Sequence, residues 1–117
     1  MNTEITYLYR DADNYKQGNT VVVQGELTFE QIEPYLEEGC YFIAGQVGLE
    51  DLQWRWLEKG FGFPSDADHV FSELDDSCIE PTSDEPTLSL TADQLLDRFR
   101  ATNGQWDVTA CADQMGI

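Results

Sequence analysis

Positive charge is what this sequence has least of. Only six of its 117 residues are Lys or Arg, against 23 Asp and Glu, for a formal net charge of −17. The bases stand at Arg10, Lys16, Arg55, Lys59, Arg98 and Arg100. Such a field repels phosphate backbones and anionic membrane surfaces, which argues against direct binding to nucleic acid or to a membrane. Histidine is represented once, by His69, so a site built on two imidazoles is excluded. Cysteine occurs three times, at Cys40, Cys78 and Cys111. The number is odd and the spacing matches no zinc or redox pattern, which points to free thiols, with Cys40 expected to be buried beside an apolar strand. Long apolar runs are missing, and MNTEITYLYR has neither a basic lead nor an apolar signal core. The expectation is a cytoplasmic protein with no cofactor.

What is present suffices for a folded core. Hydrophobic residues make up 41% of the chain, including five Tyr, six Phe and three Trp. That is too much for a disordered chain, and the length suits one domain, 1–117. ITYLYR, from Ile5, is β-branched and aromatic and predicts a strand. DADNYKQGN is a turn-rich loop, and TVVVQGEL is a second strand able to pair with the first as a hairpin. In LTFEQIEPYLEEG, Thr28 and Gln31 have capping-box spacing, and Phe29, Ile32 and Leu36 have helical spacing. Pro34 predicts a kink there, or two short turns that meet.

CYFIAG predicts a third strand and HVFSEL a fourth. GLEDLQWRWLEKG reads as a helix with Leu49, Leu52 and Trp56 on one face and Asp51 placed to pair with Arg55. Trp54 falls on the other side of that helix, as an exposed anchor for a partner. CIEPTSDEPT, with two prolines, is a loop or an edge segment. TADQLLDRFRATNG repeats the capping pattern at Thr91 and Gln94, turns Leu95, Leu96 and Phe99 inward, and has Gly104 beyond its end. QWDV predicts a last short strand, with a loose tail from about residue 109. The fold class is α+β: a small, mostly antiparallel sheet of about four or five strands with two or three short helices on one face.

Candidate chemistry is sparse. Asp66, Asp68 and His69 form the nearest approach to a metal site, but one short cluster lacks the oxygens and glycine of a calcium loop, and a surface turn explains it as well. With 23 acids, carboxylate pairs are inevitable and carry no signal for acid–base work. Neither Ser65 nor Cys78 lies in a nucleophile motif, and no glycine-rich loop has phosphate-binding spacing.

Acid clustering is the strongest feature. From Gly60 to Asp97 there are ten acids and no Lys or Arg, and from Gln17 to Trp54 there are seven acids and none. The acidic face of the helix from Thr28 (Glu30, Glu33, Glu37, Glu38) and the stretch with Asp75, Asp76, Glu80, Asp84 and Glu85 are the candidate contacts with a basic partner. A compact chain of this length is roughly 35 Å wide, a span over which duplex DNA carries roughly 20 charges. The net charge of −17 is of that order.

TYLYRDADNYK, YFIAGQVGLEDLQ, DHVFSEL and DRFRATNGQWD, in this order, resemble a family of small uncharacterised bacterial proteins with YLYRDA-NYK, YFIP-VGL and DHVWHEL-like segments. The chain departs from that pattern at Ala44, where a Pro is usual, and at Phe71 and Ser72, which replace an aromatic–His pair. The resemblance implies a bacterial or phage-borne single-domain protein and no particular activity.

Taken together, the sequence predicts a non-enzymatic acidic protein that binds and inhibits or regulates a basic, nucleic-acid-binding protein, as a nucleic-acid mimic, an anti-defence protein or an immunity protein would. A small-molecule or metal-binding housekeeping domain and a structural adaptor with an apolar interface are the alternatives. General solubility, or a host with a salty cytoplasm, would also account for the acids.

Overall fold

The computed structural model describes residues 1–102 and 105–117. Gly104, expected beyond the end of a helix, lies outside them. Strand β1 (Asn2–Arg10) and strand β2 (Lys16–Val23) form an antiparallel hairpin in register from Thr3 opposite Val23 to Arg10 opposite Lys16. The hairpin expected from the sequence is therefore present, and β2 begins earlier than expected, inside the turn-rich loop. Helix α1 (Phe29–Ile32) runs directly into a 3-10 turn, Glu33–Tyr35, that begins just before Pro34. These are the two short turns the proline predicts, since its ring cannot follow a continuous helix.

Strand β3 (Tyr41–Phe42), a 3-10 turn at Ala44–Val47, helix α2 (Trp54–Glu58), strand β4 (Ser72–Glu73), a 3-10 turn at Asp76–Cys78, strand β5 (Ile79–Thr82), helix α3 (Ala92–Thr102) and helix α4 (Val108–Met115) complete the chain. The five-stranded antiparallel sheet has the order β2-β1-β4-β3, and β5 pairs with β1. With its short helices the architecture is α+β.

β1 organises the core by simple alternation. Thr3, Ile5, Tyr7 and Tyr9 are buried, while the intervening residues face the other side and stay at least partly exposed. Tyr7, Phe42, Phe99 and Trp106 then form a chain of tilted and edge-to-face aromatic contacts with centroids 5.7–6.1 Å apart, joining β1, β3, α3 and the approach to α4. Phe29 and Ile32 of α1, Leu95 and Leu96 of α3, and Cys111 and Met115 of α4 pack into the same cluster.

Several expected elements are shorter or different. CYFIAG keeps only Tyr41–Phe42 as strand, because the chain turns at Ala44, and the backbone N–H of Gly45 donates to Asp51 at 3.0 Å. A side chain at position 45 would collide with that carboxylate. In HVFSEL the N–H of Phe71 donates to the His69 ring rather than to a ladder, so only Ser72–Glu73 is strand. α2 covers Trp54–Glu58 and not the whole expected helix. Arg55 pairs with Glu50, at 2.6 and 3.1 Å, instead of Asp51, which holds Gly45. QWDV is not a strand: Trp106 is buried, and Asp107 caps α4 by accepting from Ala110 at 3.0 Å. The tail expected to be loose from residue 109 is α4 itself, held by buried Cys111 and Met115 and closed by left-handed Gly116. Among the described residues there are thus four short α-helices, where two or three were expected.

The two capping pairs differ. At Thr91 the bonding is reciprocal: Gln94 N–H donates to Thr91 Oγ1 at 3.2 Å and Thr91 N–H to Gln94 Oε1 at 3.0 Å. At Thr28 both the N–H and the hydroxyl donate to Gln31 Oε1, at 2.9 and 3.3 Å, and the N–H of Gln31 goes to the Thr28 carbonyl. Thr91→Ala should therefore cost about 1 kcal/mol in urea unfolding, and Thr28→Ala only a few tenths. Equal losses would show that the reciprocal bond adds nothing. The register offers a second prediction. Glu4 of β1 stands directly opposite Glu80 of β5. Like charges in that position destabilise a ladder, so Glu80→Gln should raise stability by ~0.2–1 kcal/mol. A fall in the unfolding midpoint would contradict the repulsion.

Candidate functional site: an acidic groove

The segment from Ser72 to Thr82 runs antiparallel to β1 as one interrupted strand, with β4 flanked on its other side by β3. Leu8 pairs with Glu73, and Ile5 with Ile79, so Thr6 and Tyr7 lie opposite an excursion of five residues, Leu74 to Cys78. Buried Leu74 anchors that excursion. Asp75 shapes it: its Oδ1 accepts from Ser77 N–H at 2.9 Å, Ser77 Oγ at 2.5 Å and Cys78 Sγ at 3.4 Å. These bonds, led by the Ser77 hydroxyl, hold the Asp75 carboxyl below its ordinary range. Asp75 is thus occupied in making the turn, and Asp76 is the carboxylate the turn presents to solvent.

α1 packs beside this turn. Between them lies a groove of about 380 Å³ lined by Thr3, Leu27, Phe29, Ile79 and Pro81, with Glu26, Glu30 and Asp76 among its polar lining residues. The two acidic segments singled out in the sequence therefore meet, through Glu30 and Asp76. Glu26 belongs with them and was missed, because it precedes the helix and has no helical spacing to mark it. Glu4 and Glu80 stand opposite each other on β1 and β5. The alternation that puts Thr3, Ile79 and Pro81 in the groove turns this pair to the opposite face of the sheet, and Glu80 does not line the groove. Glu33 and Glu38 are exposed and Glu37 half-buried along the 3-10 turn and its exit, and none of the three lines the groove. Asp84 and Glu85 are exposed on the crossover from β5 to the outer edge of β2. That crossover is fastened by Asn2 Nδ2 donating to the Asp84 carbonyl at 2.9 Å and by Thr87 N–H donating to the Val22 carbonyl at 2.8 Å.

Most of this charge is unpaired. Among the described residues the Arg–carboxylate pairs are Arg10–Glu73, Arg55–Glu50 and Arg100–Asp97, and none involves a carboxylate of the groove. Trp54 is exposed as expected, with its ring edge-to-face on Phe63 at 5.3 Å, away from the groove lining.

The weak metal alternative fares poorly on geometry. Asp68 Oδ1 accepts from the Tyr9 hydroxyl at 2.6 Å, and Oδ2 accepts from Ser65 N–H at 2.8 Å and Ser65 Oγ at 3.2 Å. His69 Nε2 faces the Arg10 carbonyl at 2.7 Å, and Nδ1 accepts from Phe71 N–H at 3.1 Å. Both ring nitrogens are engaged in one tautomer, so the ring offers no lone pair to a cation. Asp66 is exposed beside them. Among the described residues no group of three or more His, Cys, Asp and Glu is arranged to hold a metal ion. These residues instead tie the loop after α2 to the end of β1, with burial and the Asp68 contact raising the pKa of the Tyr9 phenol.

The thiols offer no activated nucleophile. Burial pushes Cys111 up to about 11, and burial is also the main cause that raises Cys40 and Cys78. Cys40 is half-buried beside β3, less enclosed than expected, and Cys111 is the buried one. No helix among the described residues is long and apolar enough to cross a membrane. Compared with family models, with curated proteins and with solved structures, the chain finds no match.

Proposed function

We propose that this chain is a non-enzymatic cytoplasmic protein that docks its acidic groove and the flanking carboxylates on a basic, nucleic-acid-binding protein and so blocks or regulates it. One observation carries the reading. Glu26 and Glu30 from one segment and Asp76 from another, distant in sequence, come to a single concavity and, among the described residues, have no Arg or Lys partner. On the other face of the same strands Glu4 stands opposite Glu80, a further like-charge contact the fold tolerates. A surface selected only for solubility would spread its charge and avoid such repulsion.

The dimensions agree with mimicry of a nucleic acid. The molecule measures 40 × 29 × 23 Å. A duplex 40 Å long carries about 24 phosphate charges, the same order as the net −17. An anti-defence protein or an immunity protein against a nuclease toxin would work in this way. Glu33, Glu37, Glu38, Asp84 and Glu85 would add to steering, which long-range charge dominates.

The test is capture of partners from a lysate of the source cell at low and at high salt. Binding should fall steeply as salt rises, because the Debye length drops from about 10 Å at 0.1 M to about 3 Å at 1 M. Neutralising Glu26, Glu30 and Asp76 to Gln or Asn should weaken capture about tenfold, whereas Glu58, Asp93 and Asp113 treated alike should weaken it much less. Equal weakening by both sets would mean a diffuse halo of charge. Capture that ignores salt and both sets would favour the apolar adaptor.

A further inference from the structure

A second concavity lies away from the acidic groove. The loop between β1 and β2, helix α2 and the loop that follows it enclose a cavity of about 330 Å³. Its walls include Tyr15, Trp56 and Phe61, and Asp11, Asp13 and Asp68 also line it. Tyr15 and Phe61 are 65% and 60% exposed, unusual for rings that could have been turned inward. No Lys or Arg is among the lining residues.

The walls are fixed before any ligand arrives. Asp11 Oδ1 accepts from the N–H groups of Asp13 and Tyr15, both at 2.9 Å. Ala12 N–H donates to the Ala67 carbonyl at 2.9 Å and fastens the hairpin loop to the far wall. Phe61 stands edge-to-face on Trp56 at 5.6 Å and 89°, and its N–H donates to the Trp56 carbonyl at 2.9 Å. Asp68 is immobilised by Tyr9 and Ser65. Asp13 remains exposed.

Aromatic faces with carboxylates around them attract a cation twice, through the ring quadrupole and through charge. They repel a phosphate. Lys59 Nζ already sits 5.9 Å from the centre of the Trp56 ring, within the range of that attraction. The volume is at the small end for a ligand pocket and suits one side chain. We infer that this cavity receives a single lysine or arginine side chain of the basic partner, as a discrete anchor beside the diffuse steering of the acidic groove. The inference rests on the proposed function for its partner, but the cavity's preference for a cationic side chain is testable without one.

The experiment is a two-dimensional NMR titration of the whole chain with three blocked tripeptides, acetyl-Gly-X-Gly-amide, where X is Arg, Lys or norleucine. The Arg and Lys peptides should give saturable shifts at the Trp56 indole N–H and at the amides of Tyr15 and Phe61. Norleucine should give little. Phe61→Ala should weaken the Arg peptide about three- to tenfold and Asp13→Asn about twofold, while Asp93→Asn leaves it unchanged. Both side chains are exposed, so both variants should fold, and their spectra report whether they do. Shifts from norleucine equal to those from Arg would overturn the inference in favour of a plain apolar pocket. Shifts that never saturate and spread over Glu30 and Asp76 would overturn it in favour of non-specific charge. Tetramethylammonium binding more tightly than either cationic peptide would overturn it in favour of a small-molecule site. Saturable binding of the cationic peptides alongside salt-insensitive capture would sustain the anchor and sink the proposed function. Salt-sensitive capture unaffected by Phe61→Ala, with no saturable peptide binding, would do the reverse.

Discussion

β1 is paired along both edges, and the arrangement of the acids follows from that. One edge takes the whole of β2, and the other is divided between β5 and β4. Because Ile5, Tyr7 and Tyr9 are committed to the core, β1 cannot shift register by one residue without exposing them. The β4–β5 segment must therefore meet a fixed partner, and the residues between the two strands that do not fit the ladder are extruded. That excursion carries Asp76 out to face α1. The groove is a consequence of sheet geometry, and only then of charge.

The core has to overcome the charge. Self-repulsion among 23 acids opposes compaction, and among the described residues Arg10, Arg55 and Arg100 relieve three of them directly. Surface pairs of this kind contribute about 0–1 kcal/mol each. Stability comes instead from the aromatic line Tyr7–Phe42–Phe99–Trp106 and the aliphatic residues around it. The hydroxyls of Tyr7 and Tyr9 donate to the Glu50 carbonyl and to Asp68, so these large buried rings leave no stranded donor. A core that places its bulk on one face of one strand leaves the loops of the other elements free to carry carboxylates and exposed rings.

Much of this was legible in the sequence, for local reasons. The period-two pattern of β1, the capping pairs at Thr28 and Thr91, the break at Pro34 and the inward face of α3 all depend on neighbours within a few residues. What was not legible depends on distant partners. The expected strand at Gln105–Val108 failed because Trp106 is drawn into the core by Phe99, freeing Asp107 to cap a helix. Arg55 chose Glu50 because Asp51 was already bound to Gly45. Glu26 entered the groove, and Tyr15 and Phe61 entered the second cavity, through loop closure across the fold. The exposed aromatic rings next to acid-rich turns were the available signal for that cavity, and it takes the fold to bring them together.

The central claim is that the partner engages both the acidic groove and the separate aromatic cavity. Hydrogen exchange of the chain alone and in complex with a captured partner tests it most directly. Residues 11–15, 26–30, 61–63 and 76–82 should exchange more slowly in the complex, with α3 and α4 unchanged. Protection confined to α3 and α4, with those four segments exchanging as in the free chain, would contradict the account.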